Sequence, residues 1–356
     1  MLEMPDSPDE VIFEILSRLP VVSLYRFRCV SKPWCSLISS PHFIRSHLDR
    51  STNNKKHEHL ALCCAVTETL YSLDFEWSPS GGEVLVKPPI QLDLDCGIIW
   101  GSCDGLLLIT PTLDGKWVDV PFSLVNPSTR ECRRLPPSPF VLDTEFRFGE
   151  YGFGYDSKSD DYKVVLISCE ENSLYNVVSV YSLRTDSWKQ IENYPYNHSW
   201  VRYKSGVLVN GAVHWSAETS TGNVIVALDL ADEKFRIIPY TGSIDVLETV
   251  FVLGGCLCVF GKRFDDDRED LWVMKEYGVN ASWTKFTITN GCPKGFWIPL
   301  SLSRTGQVLF QGNVHSLLLF DQQEGTSRRL VVHGLPTPTN FQAETYVESL
   351  VSPNRQ

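Results

Sequence analysis

The first fifty residues place their apolar side chains at the spacing of helices. Val11, Ile12, Ile15, Leu16 and Leu19 recur every three or four positions, which predicts one amphipathic helix. Ser7 is suited to cap that helix, with Pro8 in the first turn and Glu10 completing a capping box, and Pro20 ends it.

A second stripe of Leu24, Phe27 and Val30 leads to Ser31, which is suited to cap a further helix. Trp34, Leu37 and Ile38 share one face of that helix as far as the breaker Pro41, and a last turn carries Phe43, Ile44, His47 and Leu48. Three or four short helices in about forty residues cannot enclose all these side chains. Apolar surface should therefore remain for another protein.

After the polar residues 51–57 the pattern changes to short runs of Val, Ile, Leu and aromatic residues, which is typical of β-strands. Two series of turns punctuate these strands, and both recur about every 45 to 55 residues, the period of four-stranded propeller blades. The first series comprises Asp104-Gly105, residues 156–161, Asn210-Gly211, Gly254-Gly255 and Gly312-Asn313. The second comprises residues 79–82, 127–129, 184–186, 231–233, 279–281 and 323–325.

We therefore predict an α+β chain by segment: a helical domain over residues 1–50, a hinge over 51–58 and an all-β domain over 59–356. The β domain is predicted to be a six-bladed propeller, with seven blades as the alternative. Residues 344–351 should form a strand beside residues 60–66 and close the ring, which would protect the edge strands.

The formal charge of −11, from 32 basic and 43 acidic residues, argues against a nucleic-acid partner. The acidic start lacks the apolar run of a signal peptide, and no segment reaches the length needed to span a bilayer. Eleven cysteines without paired spacing favour reduced thiols. These features predict a cytoplasmic or nuclear protein with protein partners and no membrane association.

Sequence motifs for catalysis are absent, so we predict no catalytic residue, no metal and no cofactor. The acidic run at residues 265–270 lacks the spacing of a calcium loop. A kelch-type propeller enzyme is an alternative, but its metal ligands would have to come from His198, His214 and His315, which stand at unmatched offsets.

Residues 14–20, residues 27–32 and Trp34 resemble an F-box of the large plant families. The resemblance implies binding to the Skp-type adaptor of a Skp, cullin and F-box ubiquitin ligase, and through the adaptor to a cullin. Two positions depart from the usual form, since Ser7-Pro8 replaces Leu-Pro and the apolar Val22 replaces a basic residue, and the affinity for the adaptor is expected to differ accordingly. The residues implied to contact the adaptor are Pro8, Ile15, Leu19, Pro20, Leu24, Val30 and Trp34.

Residues 153–157 and 160–165, with 228–230 and 233–235, resemble the F-box-associated or kelch-like region of the same plant proteins. The resemblance implies degenerate kelch-like blades and a non-catalytic substrate receptor that promotes ubiquitination and degradation of a target protein. A scaffold or decoy that does not transfer ubiquitin is an alternative.

If both turn series are tight, the longer connections must all leave from one face of the ring. Aromatic and arginine side chains anchor many protein interfaces, so those on this face are candidates for binding a target protein. They are Trp117, Phe146, Tyr194, Tyr196, His198, Trp200, Tyr240, Phe264, Arg268 and Trp297.

Overall fold

The fold is taken from a computed structural model. It describes residues 8–53, 58–75, 77, 83–112, 121–140, 147–170, 176–191, 197–198, 205–219, 222–240, 246–262, 269–287, 297–303, 305–312, 316–336 and 340–354.

Four helices form the N-terminal part: α1 (Pro8–Leu16), α2 (Val21–Phe27), α3 (Lys32–Ile38) and α4 (Pro41–Asn53). Ser31 caps α3 as predicted, because its hydroxyl accepts a hydrogen bond from the Trp34 N–H at 3.3 Å. Helix α1 ends earlier than the apolar stripe suggests. The Leu19 N–H bonds to the Leu16 carbonyl, so the stripe finishes in a tighter turn.

The prediction of a single last turn after Pro41 was wrong, since α4 is a helix of 13 residues. Pro41 begins this helix, and the Ser40 hydroxyl accepts the Phe43 N–H at 3.2 Å. A proline suits this position because the first helical N–H groups have no partner within the helix. Helix α4 reaches Asn53, which lies inside the stretch predicted as a hinge.

After the helices, the described part of the chain forms β-strands, which are arranged in six sheets. Five of them contain four sequential strands each, and we number them as the second to sixth blades. The second blade contains β4 (Ile98–Cys103), β5 (Leu106–Thr110), β6 (Ser123–Asn126) and β7 (Glu131–Arg134), and the third contains β8 (Arg147–Asp156), β9 (Asp161–Glu170), β10 (Asn176–Ser182) and β11 (Ser187–Gln190). The fourth contains β13 (Val207–Val209), β14 (Ala212–Thr219), β15 (Gly222–Asp229) and β16 (Phe235–Ile238), the fifth contains β17 (Val246–Leu253), β18 (Cys256–Lys262), β19 (Glu269–Met274) and β20 (Trp283–Thr287), and the sixth contains β21 (Trp297–Leu302), β22 (Gln307–Gly312), β23 (Ser316–Asp321) and β24 (Thr326–His333). The sheet of β13 also contains β12 (Asn197–His198), which pairs with β14.

The first sheet joins the two ends of the β domain. Its strands are β1 (Glu58–Cys64), β2 (Thr69–Phe75) and the C-terminal β25 (Phe341–Tyr346). Strand β25 pairs antiparallel with β1, with Tyr346 opposite His59 and Phe341 opposite Cys64. The predicted closure is therefore confirmed, but the strand ends at Tyr346, and residues 347–351 leave the sheet.

The six sheets are the blades of a closed β-propeller. Their inner strands β25, β4, β8, β13, β17 and β21 contact one another in that order and return to β25. Six apolar clusters lie between successive blades. Each blade buries both of its faces against its neighbours, which explains the apolar strands of the sequence.

The tight turns between first and second strands agree with the predictions in the second to fifth blades. At Asp104-Gly105, for example, both φ angles are positive, 51° and 85°, as a two-residue hairpin requires. The prediction of Gly312-Asn313 as the matching turn of the sixth blade was wrong, because β22 runs to Gly312. The turn between β21 and β22 lies between Leu302 and Val308, which pair, and it includes Gly306 with a φ of +87°.

Strand β3 (Glu83–Leu85) lies outside the blade that precedes it in sequence. It pairs in parallel with β24, at the outer edge of the sixth blade. The chain then returns to the first blade through a single bridge between Leu70 and Ile90. The first and sixth blades are thus joined at the outside by β3 as well as at the inside by β25.

Candidate binding surfaces at the two ends of the molecule

The four helices bury one set of apolar side chains and expose another. Leu16, Val21, Leu24, Ile38 and Phe43 form a core that also includes Leu350 from the C-terminal segment. The exposed set comprises Val11, Ile15, Val22 and Val30, which are 40%, 57%, 52% and 62% exposed. Val11 and Ile15 are one helical turn apart and so lie on the same face of α1.

Charged groups join α1 to α4 beside this face. Glu14 accepts a hydrogen bond from Arg18 at 3.1 Å and forms an ion pair with Arg50 of α4. The hydrogen bond from Arg18 lowers the pKa of Glu14. The Glu14 carboxylate therefore stays ionised and holds both arginines.

His47 connects α4 to the turn after α1. Its Nε2 lies 2.9 Å from the Leu19 carbonyl oxygen, and burial lowers the pKa of the ring. A neutral imidazole that faces a carbonyl must carry its proton on Nε2, so His47 donates this hydrogen bond. The backbone at Leu19 is thereby fixed relative to α4.

The helices rest on the end of the propeller that carries the tight turns. Arg45 lies 3.5 Å from the carboxylate of Asp104 in the first turn of the second blade, and its guanidinium stacks over Tyr155 at 5.2 Å. Tyr25 donates a hydrogen bond to Glu131 at 3.0 Å, at the second turn of that blade. Leu48 completes the apolar cluster between the second and third blades.

The longer connections leave from the opposite end. In an antiparallel blade the first and third connections lie at one end, and the second connection lies at the other with the link to the next blade. Since the tight turns face the helices, the strand ends that lead into the longer connections face away from them. Most residues of these connections lie outside the described part of the chain, including 113–120, 141–146, 192–196, 199–204 and 263–268.

Comparison with known proteins identifies both parts. Residues 8–46 match the F-box domain, and residues 87–352 match the F-box associated beta propeller domain. The chain therefore belongs to the F-box protein family. It is similar to F-box protein CPR1 of Arabidopsis thaliana, with 35% identity over 98% of this chain and 89% of the relative. An F-box/kelch-repeat protein of the same plant is 29% identical over 98% of this chain and 96% of the relative.

The F-box exposes part of the set predicted to contact an adaptor. Ile15, Pro20 and Val30 are exposed, while Leu19 and Trp34 are partly buried. Trp34 packs edge-on against Phe27, with ring centroids 5.5 Å apart. Pro8 begins α1, and its side chain lies outside the described part.

Leu24 does not belong to that exposed set. Its side chain is fully buried in the helical core, so it supports the fold of the F-box and cannot contact a partner in this arrangement. Val11 and Val22, which are not in the predicted set, are also exposed. Val22 was noted above only as an apolar departure from the usual F-box form.

Of the residues predicted to bind a target, only Tyr240 has a described side chain. Its ring packs edge-on against Trp283 at 5.2 Å and Trp272 at 6.2 Å, which makes it a packing residue of the fifth blade. His198 and Trp297 lie in the short strand β12 and in β21, and only their backbone is described. The residues outside the described part are Trp117, Phe146, Tyr194, Tyr196, Trp200, Phe264 and Arg268.

His214, considered above as a metal ligand, has a structural role. It is fully buried, its Nδ1 lies 3.2 Å from the Val207 carbonyl oxygen, and its Nε2 accepts a 2.8 Å hydrogen bond from the Tyr277 hydroxyl. Burial lowers the pKa of His214 to about 4. Within the described ranges, no group of three His, Cys, Asp or Glu side chains could hold a metal ion, and no helix there could cross a bilayer.

Proposed function

We propose that this F-box protein is the substrate receptor of a Skp, cullin and F-box ubiquitin ligase. The observation that carries the proposal is the exposed apolar face of α1, with Val11 and Ile15, together with the exposed Val30 of the same F-box. A family match to the F-box supports a Skp-type adaptor as the protein that covers this face, and through it a cullin.

The target protein is proposed to bind at the far end of the propeller. That end carries the longer connections and points away from the F-box, so an adaptor and a target can be bound at the same time. We propose that contacts come from the aromatic and arginine residues of those connections, namely Trp117, Phe146, Tyr194, Tyr196, His198, Trp200, Phe264, Arg268 and Trp297. Tyr240 is left out because it packs within the fifth blade.

In this role the protein contributes no catalytic group of its own. It raises the local concentration of target lysines near a ubiquitin-charged enzyme, and such tethering accelerates a reaction without new chemistry. The result is ubiquitination and degradation of the target. The site of action is proposed to be the cytoplasm, the nucleus or both, where the nine described cysteines, all free thiols, would stay reduced.

The test compares two valines of similar exposure in a binding assay with purified Skp-type adaptor. Val30→Asp places a carboxylate on the exposed face of the F-box, while Val331→Asp does so at a 52% exposed position on the sixth blade. Burying an unpaired charge in an interface costs at least about 1.4 kcal/mol, so Val30→Asp should weaken adaptor binding tenfold or more.

Val331→Asp should bind the adaptor like the unmodified protein, and a chain that begins at residue 52 should not bind. Equal binding by both aspartate variants would contradict the assignment of this face. The double variant Leu19→Ala, Pro20→Ala examines the neighbouring turn in the same assay.

A further inference from the structure

The residues after the last strand run between the F-box and the propeller. Residues 347–354, which we call the strap, follow β25 directly and carry no strand of their own. Leu350 is 6% exposed and inserts into the core of the F-box. Val351, next to it, packs into the apolar cluster between the second and third blades, where Val347 also lies.

The strap is held from the propeller side by one buried amide. Asn126 ends β6 and is fully buried. Its Nδ2 donates to the carbonyl oxygens of Ser349 and Val351, at 3.0 and 2.8 Å, while its Oδ1 accepts from the backbone of Ser128 and Thr129. This orientation of the amide is the one that pairs donors with acceptors on both sides.

Equivalent turns in other blades show what is special about Asn126. Asp229 and Asp321 end the third strands of the fourth and sixth blades, and the Oδ1 of each accepts two backbone N–H groups of the following turn. A carboxylate therefore suffices for the turn. Only the additional donors of an amide can hold two carbonyl oxygens of the strap.

The neighbouring turn also accommodates the strap closely. A Cβ atom on Gly105 would lie 2.6 Å from the Val347 carbonyl oxygen, so only glycine fits there. Further along, Asn354 donates to the Cys132 carbonyl at 3.3 Å, which attaches the end of the strap to β7. The strap is thus fixed to the second blade along most of its length.

A cleft lies on each side of the strap. One, of about 850 Å³, is lined by Leu19 and His47 of the F-box and by Val347 and Glu348 of the strap. The other, of about 580 Å³, is lined by Ile44 and Arg45 and by Val351 and Ser352. The strap therefore contributes to the lining of two clefts between the helices and the blades.

We propose that the strap, through Asn126 and Leu350, fixes the orientation of the F-box on the propeller. Because the same eight residues enter both apolar cores, a rotation of the F-box would withdraw Leu350 from one core or strain Val351 in the other. Asn126 and Leu350 are then positioning residues. That they also set the place of a bound target relative to the ligase rests on the proposed function.

The experiment measures the distance between two spin labels in the full chain, one at Ser36 of α3 and one at Glu324 of the sixth blade. Both side chains are exposed, and genetically encoded labels avoid the exposed thiol of Cys29. The unmodified protein should give a single narrow distance distribution. Asn126→Asp keeps the turn acceptor but removes the donors and places a carboxylate against two carbonyl oxygens, so the narrow distribution should be lost.

Two pairs of variants separate positioning from folding. Asp229→Asn makes the reverse change at an equivalent turn that holds no strap, and it should leave the distribution narrow. Leu350→Ala should broaden the distance distribution, whereas Leu350→Met, with a side chain of similar size, should keep it narrow. Thermal unfolding of each variant reports whether the propeller is intact. If Asn126→Asp does not fold, the comparison of Leu350→Ala with Leu350→Met decides whether the strap orients the F-box.

Narrow distributions in both Asn126→Asp and Leu350→Ala would overturn the proposal, as would broadening in Asp229→Asn. Adaptor binding is measured separately on the same proteins and should be unchanged in Asn126→Asp, which alters no side chain of the F-box. If the unmodified protein fails to bind the adaptor, the proposed function fails, while the distance measurement still decides the role of the strap.

Discussion

The F-box and the propeller of this protein satisfy their apolar residues in different ways. Of the ten large apolar side chains exposed among the described residues, four lie in the F-box, although it is much the smaller region. The propeller closes on itself, and each blade is covered by its two neighbours. The F-box has no such closure, since its core depends on Leu350 from the far end of the chain and its outer face is left open.

This difference indicates where each region obtains its stability. A closed ring removes exposed sheet edges without a partner. A unit of four short helices buries too little surface to be stable alone and gains from any surface that covers it. Changes in the inner ring should therefore be costly in the isolated protein, and changes in the F-box should be partly offset by the adaptor.

The largest effect is expected where the ring closes. Phe341 of β25 is 2% exposed and fills the cluster between the sixth and first blades. Phe341→Ala should lower the free energy of unfolding by about 3 to 5 kcal/mol, because it leaves a cavity in the strand that holds both ends of the domain. Urea denaturation measures this, with Phe235→Ala on the outer strand β16 as the control. Equal losses of unfolding free energy in both variants would contradict a special role of the inner strand.

The next effect concerns a buried ion cluster between the third and fourth blades. Lys163 lies 3.0 Å from Asp156 and 3.2 Å from Glu233, and its side chain is 9% exposed. Lys163→Met leaves Asp156 without its cation, while Glu233 keeps Lys189 at 2.7 Å, and should cost about 3 kcal/mol. Lys158→Met breaks the exposed pair with Asp232 and should cost less than about 1 kcal/mol. Urea denaturation at pH 7 distinguishes the two.

The same ion cluster should make the stability of the propeller depend on pH in acid solution. Burial raises the pKa of Asp156, but hydrogen bonds from Ser159 and Lys163 outweigh it and lower the pKa to about 2. The stabilisation is present above the ordinary pKa of 3.8 and is lost as the pH falls through the folded value. Lys163→Met should weaken this dependence on pH, and an unchanged acid profile would contradict the assignment.

The sequence predicted the elements whose signals are local. The helical stripes, the cap at Ser31 and most tight turns each depend on a few neighbouring residues. Closure by the C-terminal strand was predicted because the first series of turns has five members and the second has six, so the first blade was incomplete. The sixth turn was misplaced because Gly312-Asn313 resembles a hairpin turn in composition, whereas the pairing of β22 with β23 decides where the strand ends.

The remaining features depend on contacts between distant residues. Nothing near Leu24 distinguishes it from Ile15, and only the packing of the four helices buries one and exposes the other. The strap has a strand-like sequence, so it was predicted as part of a strand. Asn126 has the sequence context of an ordinary turn residue, and only the fold brings the strap carbonyl oxygens beside it. The position of the F-box on the ring therefore could not be read from local patterns.

The smallest effect, and the sharpest test of the contrast between the two regions, is expected at Ser31. Ser31→Ala removes the cap of α3 and should cost about 1 kcal/mol, a roughly fivefold loss of amide protection measured by hydrogen exchange. The loss should be confined to the F-box, and Ser36→Ala on the exposed face of α3 serves as the control. Adding adaptor should restore protection in Ser31→Ala, because a ligand that binds only the folded F-box stabilises it by mass action. Reduced protection in the propeller as well would show that the two regions unfold together, and the F-box would then owe its stability to the ring and the strap and not to its partner.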